Sequence, residues 1–115
     1  MTERSLKYLS DILMAIVLIE DFTSSLSEFS TYDIDRKTQS AVERQLGIIG
    51  EALNQFRKLE TEKEIKNDKL IIAFRNRLVH SYDSIDNSIV WAIIKKHLSP
   101  LKIEIEGLIN SSEKQ

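Results

Sequence analysis

Apolar residues return along this chain at helical intervals. Val42, Leu46, Ile49, Leu53 and Phe56 are separated by four, three, four and three residues. That is the stripe of a helix packed in a bundle. It predicts a helix over about 35–59, with Asp33 or Asp35 available to cap its start. Upstream, Leu6, Leu9, Leu13, Ile16 and Val17 fall at helical spacing and predict a helix over about 3–22. A third helix, about 68–79, contains the apolar run Leu70–Phe74. Asp86 reads as the N-cap of a fourth, about 87–98. Ser99-Pro100 then reads as the cap and first helical residue of a final segment to about 108, because proline inside one long helix would kink it. Residues 60–69 (ETEKEIKNDK) are nearly all charged or polar and read as a solvated linker. No period-two alternation and no internal repeat appears. One proline and three glycines in 115 residues agree with helices. The expectation is an all-α, up-down bundle of four to five helices in a single domain over 1–115, long enough to bury its own core.

The first helix is unusual. From Ile12 to Ile19 (ILMAIVLI) it is apolar on every side, whereas a helix of a small bundle normally shows water one polar face. The run is about half the length needed to span a bilayer. Asp11 before it and Glu20-Asp21 after it, with no small-residue cleavage site, argue against a signal peptide. A second layer of protein is the expected cover. Gly47 and Gly50, three apart on the second helix, permit close backbone approach despite costing about 1 kcal/mol each against alanine. These features predict a homodimer with the first or second helix partly in the interface. The alternative is that the glycines only relieve crowding within one subunit.

The absence of cysteine excludes a disulfide framework and cysteine-based zinc sites and fits a reducing compartment. With the apolar run too short to span and no signal peptide, the expectation is a cytoplasmic protein with no membrane partner. His80 and His97 are the only histidines and lack metal-ligand spacing, so no metal site is expected. The net charge of −2 argues against a protein that simply coats nucleic acid. The charge is uneven, however. Residues 69–102 hold six basic and two acidic side chains, leaving the rest of the chain strongly acidic. A local basic face suits a phosphate-bearing partner, and patchy surface charge is the plainer reading.

One stretch concentrates reactive side chains: RNRLVHSY, residues 75–82. Arginine forks onto phosphate oxygens, histidine exchanges a proton near neutral pH, and tyrosine donates a hydrogen bond or stacks on a base. These groups suffice for metal-free RNA cleavage. A base takes the ribose 2′-hydroxyl proton, the 2′-oxygen attacks the adjacent phosphate, and a cation stabilises the developing charge. The product is a 2′,3′-cyclic phosphate. The plainer reading is that basic residues late in a helix complement its dipole and a terminal histidine caps carbonyls. Spacing matters here. On an ideal helix Arg75 and His80 lie about 140° apart, whereas Asn76 and Arg77 are the helical neighbours of His80. Either the helix ends near His80, at the turn-like Ser81–Ser84, or another subunit completes the site.

Arg75, His80 and Tyr82 form the pattern R-x4-H-x-Y, which resembles the HEPN superfamily and specifically its HepT-like toxin branch. AVERQLGIIGEAL (Ala41–Leu53) resembles that branch's second helix, and RNRLVHSYDSIDNSIVWAII (Arg75–Ile94) its motif helix. The layout over about residues 3–108 agrees as well. The resemblance implies a homodimeric HEPN bundle with metal-independent endoribonuclease activity and no cofactor. It also implies a partner, an MntA-like nucleotidyltransferase antitoxin that transfers AMP to the motif tyrosine. On this chain Arg75 and His80 become the catalytic pair and Tyr82 the AMPylation site. Asn76 orients His80 or contacts RNA, and Arg77 binds flanking phosphate or equally serves as a solvent-exposed salt-bridge partner. Ser81 stands where many relatives have glycine, and Gln45 where asparagine is common. Neither departure removes a catalytic group, although Ser81 bears on the turn that places Tyr82. Lys95 and Lys96 extend a possible RNA track, and Trp91 reads as core or interface. Glu51 reads as an exposed helix face, with contact to the motif arginine as the alternative. The competing function is a non-catalytic HEPN module that binds a nucleotidyltransferase or RNA. A plain helical scaffold is the third.

Overall fold

The computed structural model describes residues 1–80 and 85–113. The helices are α1 (Glu3–Thr23), α2 (Phe29–Asp33), α3 (Arg36–Leu59), α4 (Lys69–His80), α5 (Asn87–Ala92) and α6 (Leu98–Glu113), with a π-helical turn at Ile93–His97 joining the last two. No strand occurs among the described residues. The all-α bundle expected from periodicity is the fold observed. α3 is its centre, packed against α1 on one side and α4 on the other, and α1 also meets α6. No helix among the described residues is long and apolar enough to cross a membrane.

The α3 stripe read from the sequence is buried as a whole: Val42, Leu46, Ile49, Leu53 and Phe56 are fully enclosed. Each such side chain contributes roughly 1.5–3 kcal/mol relative to an exposed one. In α1 the core stripe is Leu9, Ile12, Ile16 and Ile19, not the series ending in Val17. Where a helix is apolar all round, spacing cannot say which stripe faces in. Here Val17 and Met14 point outward, 47% and 68% exposed.

Local signals hold the helix ends. Thr2 caps α1, its hydroxyl oxygen accepting from the Ser5 N–H. Asp35 caps α3 by accepting from both the N–H and the hydroxyl of Thr38. Asp86 caps α5 by accepting from the N–H and hydroxyl of Ser88. α2, not foreseen from the sequence, packs Tyr32 and Phe29 against Trp91, with ring centroids 5.5 and 6.5 Å away. Trp91 therefore serves packing.

Two expectations need correction. Residues 60–69 are not a free linker. Ile65 and Asp68 are buried. Ser5 donates to Glu60 at 2.5 Å, and Glu104 of α6 accepts from the backbone N–H of Lys66 at 2.6 Å and the side chain of Asn67 at 3.0 Å. Charged residues thus tie the segment down through hydrogen bonds that composition does not reveal. The second correction concerns Ser99-Pro100, which does not start a new helix. The π turn lies just ahead of it and joins the two helices without a break. Its wider hydrogen bonding, with the Leu98 N–H donating to the Ile93 carbonyl, lets the chain remain helical through a residue that cannot donate.

The two glycines of α3 behave differently. A Cβ on Gly50 would overlap the Arg75 Cβ and stand 2.9 Å from its Cγ and 3.1 Å from the Ile71 carbonyl oxygen. A Cβ on Gly47 would meet only the Leu78 Cδ1, at an ordinary 3.7 Å. Gly50 thus relieves crowding between α3 and α4 within one subunit. Gly50→Ala should destabilise the fold by about 1–3 kcal/mol through overpacking, whereas Gly47→Ala should be neutral or stabilising by up to ~1 kcal/mol. Denaturant unfolding of the two variants measures the contrast.

Stability should also depend on the α3 cap. The Thr38 hydroxyl and N–H hold the Asp35 carboxyl below its ordinary range. A depressed folded-state pKa stabilises above the unfolded value and loses that contribution as pH falls through the folded one. Asp35→Ala should therefore lower the melting temperature at neutral pH, and the gap to wild type should narrow as pH falls below about 3.9. Thermal melts across that range test it.

Candidate active site

Because Gly50 has no side chain, the Arg75 stem lies directly across α3. The guanidinium then reaches the next residue of that helix. Arg75 Nη2 stands 2.6 Å from Glu51 Oε2. The other carboxylate oxygen of Glu51 accepts from Gln55 Nε2 at 2.9 Å, one helical turn on. Arg75 Nη1 donates to Asn76 Oδ1 at 3.2 Å. The motif arginine is therefore held by one amide oxygen and by a carboxylate that its own neighbour on α3 also binds. The reading of Glu51 as a free helix face is overturned: α4 packs so close to α3 that the arginine cannot pass Gly50 without meeting that carboxylate. Gln55 was missed altogether, although Glu51 and Gln55 stand four apart on one face, a spacing that pairs such side chains.

Arg75 and Glu51 border a shallow hollow of about 450 Å³, also lined by Tyr8, Arg44, Ile48, Leu78 and Val79. Ile48 is 39% and Val79 55% exposed. A second hollow, of about 300 Å³, shares Asp11, Arg44 and Ile48 with the first and adds Met14 and Leu18. A third, of about 340 Å³, continues over Leu13, Met14, Val17 and Leu18. An apolar strip thus runs from α1 across α3 to the end of α4 and terminates beside Arg75. The apolar far side of α1 faces outward along it.

His80 is exposed at the last residue of α4. Since α4 is helical through both Arg75 and His80, the two are set about 140° apart around its axis. His80 does not line the hollow that Arg75 borders. Helix geometry thus sets Arg75 and His80 on different sides of α4. Asn76, a helical neighbour of His80, turns its oxygen to Arg75 instead. Arg77 is exposed and near Asp86. The Asp86 carboxyl is held below its ordinary range by the Ser88 hydroxyl and N–H, with a smaller pull from Arg77. Tyr82, with the rest of residues 81–84, for which the sequence predicts a turn, lies outside the described residues.

The basic segment does not form one continuous face. Lys102 pairs with Glu20 of α1 at 2.9 Å. The Lys95 ammonium sits 4.5 Å over the Trp91 ring and donates to the Leu26 carbonyl. Arg75 is paired with Glu51, which leaves Lys69 and Arg77 exposed at opposite ends of α4 and Lys96 exposed on the π turn. A cluster in sequence is thus spread over α4, the π turn and α6.

Comparison with known proteins bears on this arrangement. The profile of the family described as Ribonuclease HepT-like matches residues 12–108, which include Arg75, His80 and Tyr82. A probable ribonuclease HepT of Thermococcus cleftensis is 38% identical over 105 residues, covering 88% of this chain and 92% of that protein. A candidate RNase of Methanocaldococcus jannaschii is 34% identical over 107 residues, covering 92% of this chain and 88% of its own. A candidate RNase of Caldanaerobacter subterraneus is 28% identical over 107 residues, covering 92% and 95%. No solved structure matches significantly. With a helical bundle, a family match over residues 12–108 and the R-x4-H-x-Y residues inside it, the chain belongs to the HepT-like ribonuclease family of the HEPN superfamily.

Proposed function

We propose that this protein is a metal-independent endoribonuclease and the toxin of a toxin–antitoxin pair. The observation that carries the reading is the match of a ribonuclease family across residues 12–108, with Arg75 and His80 within it. His80 takes the proton of a ribose 2′-hydroxyl, and the 2′-oxygen attacks the adjacent phosphorus. The bond from phosphorus to the 5′-oxygen breaks, and that oxygen leaves as a hydroxyl after taking up a proton. The ends are a 2′,3′-cyclic phosphate and a free 5′-hydroxyl. Arg75 binds the non-bridging oxygens and stabilises the charge that builds on them. Asn76 and Arg77 contact the flanking strand.

The separation of Arg75 and His80 around α4 gives the site a further requirement. The exposed apolar strip ending at Arg75 supports a homodimer in which a second copy covers it, as contiguous exposed apolar surface commonly marks an interface. Two-fold symmetry then sets Arg75 of one copy toward His80 of the other across a shared cleft.

Silencing is assigned to an MntA-like nucleotidyltransferase partner. The Tyr82 hydroxyl attacks the α-phosphorus of ATP, pyrophosphate leaves, and AMP remains on the tyrosine. The modification adds bulk and negative charge two residues from His80, which opposes an incoming phosphodiester. The second reading, a non-catalytic HEPN module holding RNA or a nucleotidyltransferase, draws on the same separation of Arg75 from His80.

RNA from cells expressing wild type or His80→Ala distinguishes the two. Cleavage should fall by a factor on the order of 10²–10⁴ in the variant; equal RNA integrity and growth would leave the binding-module reading. Mixing Arg75→Ala with His80→Ala subunits should restore about a quarter of wild-type activity, because a randomly formed heterodimer retains one intact cleft. No recovery, with heterodimers shown to form, would place both groups in one subunit's site. Tyr82→Phe should cleave normally yet resist silencing by an active nucleotidyltransferase and ATP. Full silencing of that variant without stable binding would refute the modification.

A further inference from the structure

The Glu51 carboxylate occupies the guanidinium that the proposed mechanism assigns to phosphate. We propose that Glu51 is a built-in competitor for RNA: it holds Arg75 in a charge-neutral pair that an incoming phosphate must displace. The inference rests on the reading of Arg75 as a phosphate ligand.

Three observations support it. The Arg75–Glu51 contact is short, 2.6 Å between Nη2 and Oε2. The carboxylate has a second tie on its own helix, because Gln55 donates to its other oxygen at 2.9 Å. The arginine is led to it by backbone contact at Gly50, where even a Cβ would collide with the Arg75 stem. A guanidinium paired with a carboxylate presents little net positive charge to a phosphodiester. Phosphate takes the position only by breaking the ion pair and leaving Glu51 to water. The pair is open enough for such exchange, with the Arg75 and Glu51 side chains 28% and 43% exposed. A partly exposed pair is weak, so Glu51 sets a threshold for binding without abolishing it. Its action on RNA passes through Arg75, which makes it a positioning residue of an inhibitory kind.

The test is a binding cycle on the full chain. The probe is a fluorescently labelled, mixed-sequence single-stranded RNA with 2′-fluoro riboses, which has no 2′-hydroxyl to attack. Anisotropy gives Kd for wild type, Glu51→Gln, Glu51→Ala, Arg75→Ala and the E51Q/R75A double variant. Oligomeric state and thermal unfolding are matched throughout. Glutamine keeps the shape and an acceptor oxygen while removing the charge. Both Glu51 variants should bind roughly two- to fivefold more tightly, and the gain should vanish in the R75A background.

If E51Q binds like wild type, or E51A binds more weakly, while Arg75→Ala still loses affinity, Glu51 merely orients the arginine. The competition is then wrong and the phosphate role of Arg75 stands. If the E51Q gain persists without Arg75, Glu51 acts only by general charge repulsion and the competition is again overturned. If Arg75→Ala binds as wild type does, the phosphate reading itself fails.

Discussion

The approach of α4 to α3 at Gly50 is the contact on which the candidate site depends. One missing Cβ allows the stem of Arg75 to lie on the α3 backbone. That placement sets how far the guanidinium reaches and which carboxylate it meets. The same approach forms the wall of the hollow beside Arg75, through Gly47, Leu78 and Val79. A side chain at residue 50 would push the helices apart and release the arginine from Glu51 together.

This economy has an electrostatic consequence. Arginine cannot lose its proton in a protein, so its availability is governed by what it is paired with. Here the partner is a carboxylate fixed by Gln55 on the same helix face. The positive charge that the sequence concentrates around residues 75–77 is thus partly neutralised by a residue more than twenty positions earlier. Of the remaining lysines, Lys102 and Lys95 are turned toward α1 and the loop after it, Lys96 lies on the π turn, and Lys69 stands at the far end of α4. What survives beside the arginine is mainly apolar surface. A bundle whose first helix keeps Met14 and Val17 in water is suited to lie against another protein surface along that strip.

The geometry of α4 bears equally on the family's chemistry. A five-residue step on a regular helix turns two side chains well away from each other, and α4 stays regular through His80. In the proposed homodimer, this spacing puts the cleft between copies instead of within one. Membership of a ribonuclease family and the separation of these side chains are compatible once two-fold symmetry is considered.

The α3 stripe, the aspartate caps and the helical class were all legible in the sequence, because period and capping chemistry are local. So was the R-x4-H-x-Y pattern, which specifies residue types and intervals without coordinates. The buried side of α1 was not legible, since an all-apolar run has no preferred stripe until neighbours pack on it. Nor was the anchoring of residues 60–69, whose Glu104 partner is distant in sequence. The separation of Arg75 from His80 was legible in their five-residue step, but the pairing of Arg75 with Glu51 was decided by tertiary structure alone: it follows from how closely two helix backbones meet, which depends on the side chains missing at the crossing as much as on those present.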